Sequence, residues 1–151
     1  CKFVYNNCDL ELIKNIKGNT DSEYCFFIFL SLLDNEILEN KKKLSQECFI
    51  NKMIETIQII TKLTKEIVSL NFSVYDGKTL ISTRFINSNK ENPPSLYYST
   101  NFQFNKNDIY NTVISSEPIT RNSSDWKLVH KNKMLVLTKN NKIILKNINI
   151  D

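Results

Sequence analysis

The chain has 151 residues and a formal net charge of +4, with 41% hydrophobic and 24% charged residues. These proportions indicate one folded globular domain and exclude the disordered, collagen-like and disulfide-scaffold classes. The two glycines, Gly18 and Gly77, lie too far apart for a P-loop or a dinucleotide-binding fingerprint, both of which need closely spaced glycines.

The distribution of charge and hydropathy gives no sign of a nucleic-acid or membrane partner. The single lysine run, Lys41–Lys43, is typical of a solvated helix end, with a phosphate-binding patch as the alternative. Only two arginines are present, and no basic stripe alternates with aromatic residues. The longest apolar run, Cys25–Leu33, is shorter than the roughly 20 residues of a membrane span, and no targeting segment is visible. We therefore expect a cytoplasmic protein.

The cysteine and histidine pattern argues against a metal site. The four cysteines contain no Cys-x-x-Cys pair, and His130 is distant from all of them in sequence. Without a secretory signal, such cysteines are typically reduced and partly buried thiols. We expect no metal ion and no other cofactor. The cysteines are Cys1, Cys8, Cys25 and Cys48.

Two helices are predicted in the first half of the chain. Over Tyr24–Leu38, apolar residues crowd every helix face, as in a buried helix. Thr20 and Glu23 form a capping box, in which the hydroxyl accepts from the Glu23 amide and the carboxylate reaches back to the Thr20 amide. A second helix is predicted over Gln46–Leu70, with Ile67 in its apolar stripe. The short basic turn between the helices predicts an antiparallel hairpin.

After Leu70 the apolar spacing falls from about 3.6 to about 2 residues, which indicates strands. Asp76-Gly77, between two alternating runs, is typical of a β-hairpin. Helices followed by antiparallel strands predict an α+β fold, with the helix hairpin packed on one face of an antiparallel sheet. Further strands are predicted at Ser95–Asn101, Thr112–Ser116, Trp126–His130, Met134–Thr138 and Ile143–Lys146.

The segment Gly18–Glu23 has two interpretations. In the structural one, Gly18 allows a turn, Thr20 caps the helix, and Asp21 and Glu23 complement the helix dipole. In the functional one, Asp21 projects from the helix start as a counter-charge for the ammonium group of a ligand.

Four other residues are weaker candidates. Arg84 could shape a substrate pocket, but an arginine at a strand end is typically solvated or ion-paired. Glu117 could lie near an active-site edge, although the proline after it mainly ends a strand. Trp126 is expected to anchor the core and His130 to lie at the surface or to be structural.

Eight segments resemble, in the same order along the chain, the class II glutamine amidotransferases, which are N-terminal-nucleophile enzymes. Within that class, the Pro-Ser-Leu-Tyr-Tyr and Ser-Glu-Pro elements look most like the γ-glutamyl hydrolases of glutathione breakdown and of the ergothioneine pathway. The segments are Gly18–Glu23, Phe29–Leu33, Asp76–Leu80, Ser82–Phe85, Pro93–Tyr98, Ser116–Thr120, Trp126 and Lys131–Met134.

The resemblance implies a fold, a reaction and a binding site. The fold would be part of an αββα N-terminal-nucleophile hydrolase sandwich. In the reaction, an N-terminal cysteine attacks the γ-amide carbonyl of a glutamyl compound, its own α-amino group is the base, and an Asn-Gly element provides the oxyanion hole. The resemblance gives Asp21 the role of binding the substrate ammonium, with Asn19 and Thr20 in the same substrate-binding segment.

The chain departs from the family before Gly18. The family there carries a Cys-Arg-Phe opening, an arginine-containing stretch and a His-Asn-Gly motif, and none of these is present. Cys1-Lys2-Phe3 imitates the opening, but the run Asp9–Gly18 matches the family's stretch just ahead of Thr-Asp-Ser-Glu. We therefore interpret Cys1 as an internal residue at a truncation point and assign no catalytic residue, with Cys1 as the nucleophile being the less favoured alternative.

Residues 1–151 are accordingly expected to be the C-terminal portion of a single type-2 glutamine amidotransferase domain. The complete form would hydrolyse a γ-glutamyl amide bond in a small-molecule substrate, while this chain alone would lack catalysis. The alternative is a non-catalytic scaffold or regulatory subunit of the same fold, which binds a peptidase or synthetase partner.

Overall fold

The computed structural model describes residues 14–40, 44–105 and 107–150. The chain divides between Glu66 and Ile67 into two compact units, one helical and one built of strands. The interpretations of Cys1, Cys8 and Lys41–Lys43 therefore lie outside the described residues.

The helical unit contains α1, Asp21–Asn40, and α2, Gln46–Leu63, which pack against each other. The rings of Phe29 and Phe49 meet edge to face across this contact, with their centroids 5.4 Å apart. The antiparallel orientation of the pair stays a prediction, since it rests on the shortness of the connection alone. The expectation that α1 is apolar on every face and buried is only partly right, since Phe26 is 45% exposed.

The predicted extension of α2 to Leu70 is wrong. Thr64, just after the helix, has extended backbone, and its hydroxyl accepts a hydrogen bond from the Glu66 N–H at 3.0 Å. This local turn competes with the next helical turn and ends the helix. Ile67 is consequently 53% exposed instead of part of an apolar helix face.

The second unit contains two antiparallel sheets. In the five-stranded sheet, β3 lies between β7 on one side and both β1 and β2 on the other, and β8 lies outside β7. In the three-stranded sheet, β4 lies between β5 and β6. The strands are β1 Ser69–Leu70, β2 Ser73–Tyr75, β3 Leu80–Ile86, β4 Tyr97–Phe102, β5 Asn111–Ser115, β6 Lys127–Leu128, β7 Lys133–Leu137 and β8 Ile143–Asn147.

The two sheets share a hydrophobic cluster. Leu96 and Tyr98, at the start of β4, pack with Val129 and with Leu135 of β7, and all four side chains are buried. Every residue from Ile81 to Ile86 in β3 is buried as well, so this strand is covered on both faces.

The buried hydroxyl of Thr83 bridges the interruption between β1 and β2. It accepts a hydrogen bond from the Phe72 N–H and donates one to the Leu70 carbonyl, both at 2.9 Å. Two backbone groups that the interrupted strand leaves unpaired are thereby satisfied.

The predicted Asp-Gly hairpin is confirmed between β2 and β3. Tyr75 pairs with Leu80, and the connecting loop holds Gly77 at a φ of 90°. Two asparagines, Asn132 and Asn141, also adopt positive φ, at 57° and 56°. Glycine and asparagine are the residues that tolerate this region most readily.

Candidate functional site

The Glu23 carboxylate organises the chain that leads into α1. Its two oxygens accept hydrogen bonds from the Lys17 N–H at 3.0 Å and the Gly18 N–H at 2.8 Å. The Thr20 hydroxyl accepts from the Glu23 N–H at 3.3 Å. The predicted capping box is thus half right. The carboxylate reaches two consecutive amides further back instead of the Thr20 amide, because the chain curls around it before the helix starts.

Gly18 permits this close approach, which a larger residue would allow only if the Glu23 carboxylate moved away. A Cβ atom on Gly18 would lie 2.6 Å from the nearer oxygen of Glu23, a separation too short for two non-bonded atoms. Of the two glycines, Gly77 alone has a positive φ. The role of Gly18 is therefore to leave room for the Glu23 carboxylate, and not to adopt a left-handed backbone conformation.

The three predicted substrate-binding residues lie together at the start of α1. Asn19, Thr20 and Asp21 are all exposed. The Thr20 hydroxyl is occupied by the helix cap. The Asp21 carboxylate, in the first helical turn, takes no part in the hydrogen bonds between this segment and Glu23. Asp21 therefore presents a charged, accessible group on a backbone that its neighbours hold in place.

Cys25 lies one helical turn beyond Asp21. Its thiol is half-buried, and burial, with a further contribution from the Asp21 carboxylate, raises its pKa. A raised pKa keeps the thiol protonated at neutral pH, which is the opposite of an activated nucleophile. Neither Cys25 nor Cys48 forms a disulfide, and both are half-buried.

Arg84 is buried and, among the described residues, donates to backbone carbonyls and not to a carboxylate, so the expectation of a solvated or ion-paired side chain is wrong. Its side chain is buried and donates to three backbone carbonyls: Nε to Pro94 at 2.9 Å, and the two terminal nitrogens to Val129 at 2.8 Å and Pro93 at 3.2 Å. The planar guanidinium matches three acceptors that no single local element presents. Arg84 therefore ties together the segments that contain Pro93, Pro94 and Val129.

Lys131 and Asn132 hold the other end of the same connection. The Lys131 ammonium donates to the carbonyls of Ser88 and Glu91, both at 2.6 Å. The Asn132 side-chain oxygen accepts from the Ile86 N–H at 3.0 Å. Three segments that carry the family resemblance therefore meet in space: Arg84 bonds to the Pro93 carbonyl, and Arg84 pairs with Lys133 across β3 and β7.

Of the remaining candidates, one is buried in the core and two lie at the surface. Trp126 is buried, its indole N–H donates to the Thr120 hydroxyl at 2.9 Å, and its ring contacts Phe102, which confirms the predicted anchor. Glu117 and His130 are exposed. The surface position predicted for His130 is confirmed.

A polar cleft of about 220 Å³ lies between β4 and the segment before β6. Its lining supplies hydroxyl, amide and carboxylate groups and one aromatic ring. Sequence reasoning missed it because the contributing segments are some twenty residues apart and no local motif joins them. The lining residues are Ser99, Asn101, Phe102, Gln103, Thr120, Asn122 and Asp125.

Within the described ranges, no three His, Cys, Asp or Glu side chains gather in a way that could hold a metal ion. In the same ranges, neither helix combines the length and the apolar character that crossing a membrane would demand.

Two comparisons relate the chain to known proteins, while no family model matches its sequence. The chain is 29% identical over 162 residues to "Probable glutamine amidotransferase DUG3" of Saccharomyces cerevisiae. The match covers 90% of this chain and 45% of that protein, so the chain spans less than half the length of this relative.

The second comparison concerns the fold. The structure of a "glutamine aminotransferase class-II domain protein" from Silicibacter pomeroyi matches with a TM-score of 0.68 at 20% identity. The match covers 97% of this chain and 59% of the other. The predicted α+β class is thereby confirmed, and the resemblance to class II glutamine amidotransferases, first seen in short segments, holds along nearly the whole chain.

Proposed function

We propose that this chain is the C-terminal portion of a single class II glutamine amidotransferase domain, whose complete form hydrolyses a γ-glutamyl amide bond. The ordered sequence segments, the named yeast relative and the matching fold support the family. Glutamine, glutathione and other γ-glutamyl peptides form the substrate class. The nucleophile and the oxyanion hole would come from residues outside those described. The absence of a disulfide at Cys25 and Cys48 suits a cytoplasmic setting.

The observation that carries this proposal is the position of Asp21. Its carboxylate is exposed in the first turn of α1, on a segment that Glu23 fixes through two backbone amides. A carboxylate held in this way can pair with the α-ammonium of a glutamyl substrate and bring the γ-carbonyl into register with a nucleophile. The same segment carries the Thr-Asp-Ser-Glu sequence in which the family resemblance gives the aspartate its substrate-binding role.

The test uses the complete protein that contains this segment and two amide substrates. One is glutamine, and the other is glutaramate, which has the same amide and lacks the α-amino group. Asp21→Asn should lower kcat/KM for glutamine about 10- to 100-fold, as expected for loss of one hydrogen bond to a charged group, and should leave glutaramate nearly unchanged.

Asp34→Asn, on the same helix, is the matched control and should change neither value. If Asp21→Asn lowers kcat/KM equally for both substrates, or for neither, Asp21 does not bind the ammonium group. Circular dichroism of each variant separates loss of binding from loss of fold.

The alternative, a non-catalytic scaffold or regulatory subunit that binds a peptidase or synthetase, is favoured by one surface feature. Phe104, Ile109 and Tyr110, in the loop between β4 and β5, are 70%, 81% and 67% exposed. Clustered exposed apolar side chains often mark protein contacts. A complete, folded protein without turnover on glutamine, glutathione or γ-glutamyl peptides would support this reading, and turnover that depends on Asp21 would refute it.

A further inference from the structure

Two turns lie side by side at one end of the five-stranded sheet. The β2–β3 turn precedes Leu80, and the β7–β8 turn follows Leu137. Because Leu80 and Leu137 are paired across antiparallel strands, both turns project from the same end of the sheet. Residues about 60 positions apart in the sequence are thus brought together.

The floor between these turns is a row of apolar and aromatic side chains. Tyr75 pairs with Leu80, and Leu80 pairs with Leu137. Directly paired residues on neighbouring strands point to the same face, so these three side chains form one continuous row. Tyr75 is 64% exposed, which leaves much of its ring open to solvent.

The walls carry positive charge. Lys78 from the first turn and Lys139 from the second line a cavity of about 140 Å³ over this floor, with Thr138 and Asn141 beside them. The nearby Asp76 is not among the lining residues. Its Oδ1 accepts hydrogen bonds from the Lys78 N–H at 2.8 Å and the Thr79 N–H at 2.6 Å. The cavity lining therefore contains two cationic residues and no carboxylate.

Both turns are closed by their own backbone hydrogen bonds. The Thr138 N–H donates to the Lys142 carbonyl at 3.0 Å, and the Asn141 N–H donates to the Thr138 carbonyl at 2.9 Å. In the other turn, the Asp76 N–H donates to the Thr79 carbonyl at 3.3 Å, and the Asp76 carboxylate accepts the two bonds described above. Because both turns are already held by hydrogen bonds, they lose little conformational entropy when a ligand binds between them. This favours binding of a small molecule.

We propose that this cavity binds a small phosphomonoester with an aromatic or apolar body. The phosphate lies between Lys78 and Lys139, and the body lies on the row formed by Tyr75, Leu80 and Leu137. A phosphomonoester is mostly dianionic at neutral pH, since its second pKa is about 6, and two lysines match two charges. The volume suits one ring with its anionic group and not a polymer. The site involves neither Asp21 nor the proposed hydrolase reaction, so either proposal can fail alone.

The experiment titrates the 151-residue chain with phenyl phosphate and measures binding by calorimetry. Lys78→Gln combined with Lys139→Gln should weaken binding about tenfold or more, because two contacts between charged groups are lost. The control combines Lys65→Gln with Lys127→Gln, two exposed lysines outside the cavity, and removes the same total charge. The control should change the affinity less than about twofold. Each lysine is also replaced singly, so that one variant that fails to fold does not end the test.

The choice of probe separates the contribution of the aromatic ring from that of the phosphate charge. Tyr75→Ala should weaken phenyl phosphate several-fold and leave inorganic phosphate unchanged, because only phenyl phosphate has a ring. Benzoate, with one negative charge, should bind more weakly than phenyl phosphate. The proposal is overturned if both double variants weaken binding equally, if no saturable binding occurs, or if single-stranded RNA binds more tightly than phenyl phosphate.

Discussion

At the residue scale, Glu23 and Gly18 take part in a single contact, between the Glu23 carboxylate and the Gly18 backbone. The Glu23 carboxylate sits over the Gly18 amide so closely that a Cβ there would touch it. The Thr20 half of this cap could be predicted, because the distance from a cap hydroxyl to the amide three residues on is set by the helix itself. The carboxylate half could not, because it depends on the path of the chain before the helix.

Gly18→Ala and Glu23→Gln should each lower the free energy of unfolding by about 1–2 kcal/mol, since each weakens the same pair of hydrogen bonds. The double variant should cost little more than the larger single change, because both remove one contact. Urea unfolding of the unchanged protein, the two single variants and the double variant measures these free energies. Simple additivity of the two effects would show that the residues act independently, and Asn19→Ala, with no part in the contact, serves as the control.

The raised pKa of Cys25 predicts slow alkylation and a loss of stability at high pH. An unfolded chain releases the thiol proton at an ordinary pKa of about 8.5 while the folded chain holds it, so stability falls as pH rises above that value. Asp21→Asn removes one of the two causes and should shift the alkylation profile of Cys25 to lower pH.

Iodoacetamide labelling across pH 7–10, with peptide mass spectrometry to separate the cysteines, measures this profile. Asp34→Asn, which changes the same charge elsewhere on α1, should leave it in place. A profile for Cys25 that is the same in both variants would show that Asp21 does not act on the thiol.

At the element scale, two cationic side chains hold the connection between β3 and β4. In the part of the chain that the structure describes, Arg84 and Lys131 donate hydrogen bonds to five backbone carbonyls. Their acceptors lie 9 to 45 residues away in sequence, which is why a local pattern suggests a solvated arginine. These distant partners are brought close by strand pairing, and the sequence of a single segment does not determine which strands pair.

Arg84→Lys should lower the free energy of unfolding by about 2–4 kcal/mol, because an ammonium cannot reach three carbonyls and leaves buried acceptors unpaired. Urea unfolding measures the loss. Arg121→Lys, at an exposed position, should change stability by less than about 0.5 kcal/mol. A similar small change for Arg84→Lys would mean that water replaces the guanidinium at this site.

At the scale of the whole molecule, the order of periodicities predicts the α+β class, because helix and strand spacing are local properties. The division of strands between two sheets is not local. The cluster that packs between the sheets likewise joins Leu96 and Tyr98 to Val129 and Leu135, which are more than 30 residues further along the chain. Similarly, residue types alone point to the segment around Asp21, whereas the basic cavity becomes visible only when two distant turns meet.

The scarcity of glycine affects the conformational entropy of the unfolded chain, and through it the stability of two turns. At two left-handed turn positions the chain uses Asn132 and Asn141, where glycine is the commoner choice. Asparagine strains the folded turn slightly, and the bond from the Ile86 N–H to the Asn132 side chain offsets that strain. An unfolded asparagine also samples fewer backbone states than glycine. Part of the stability of these turns therefore comes from the lower conformational entropy of the denatured chain, which no contact in the folded structure displays.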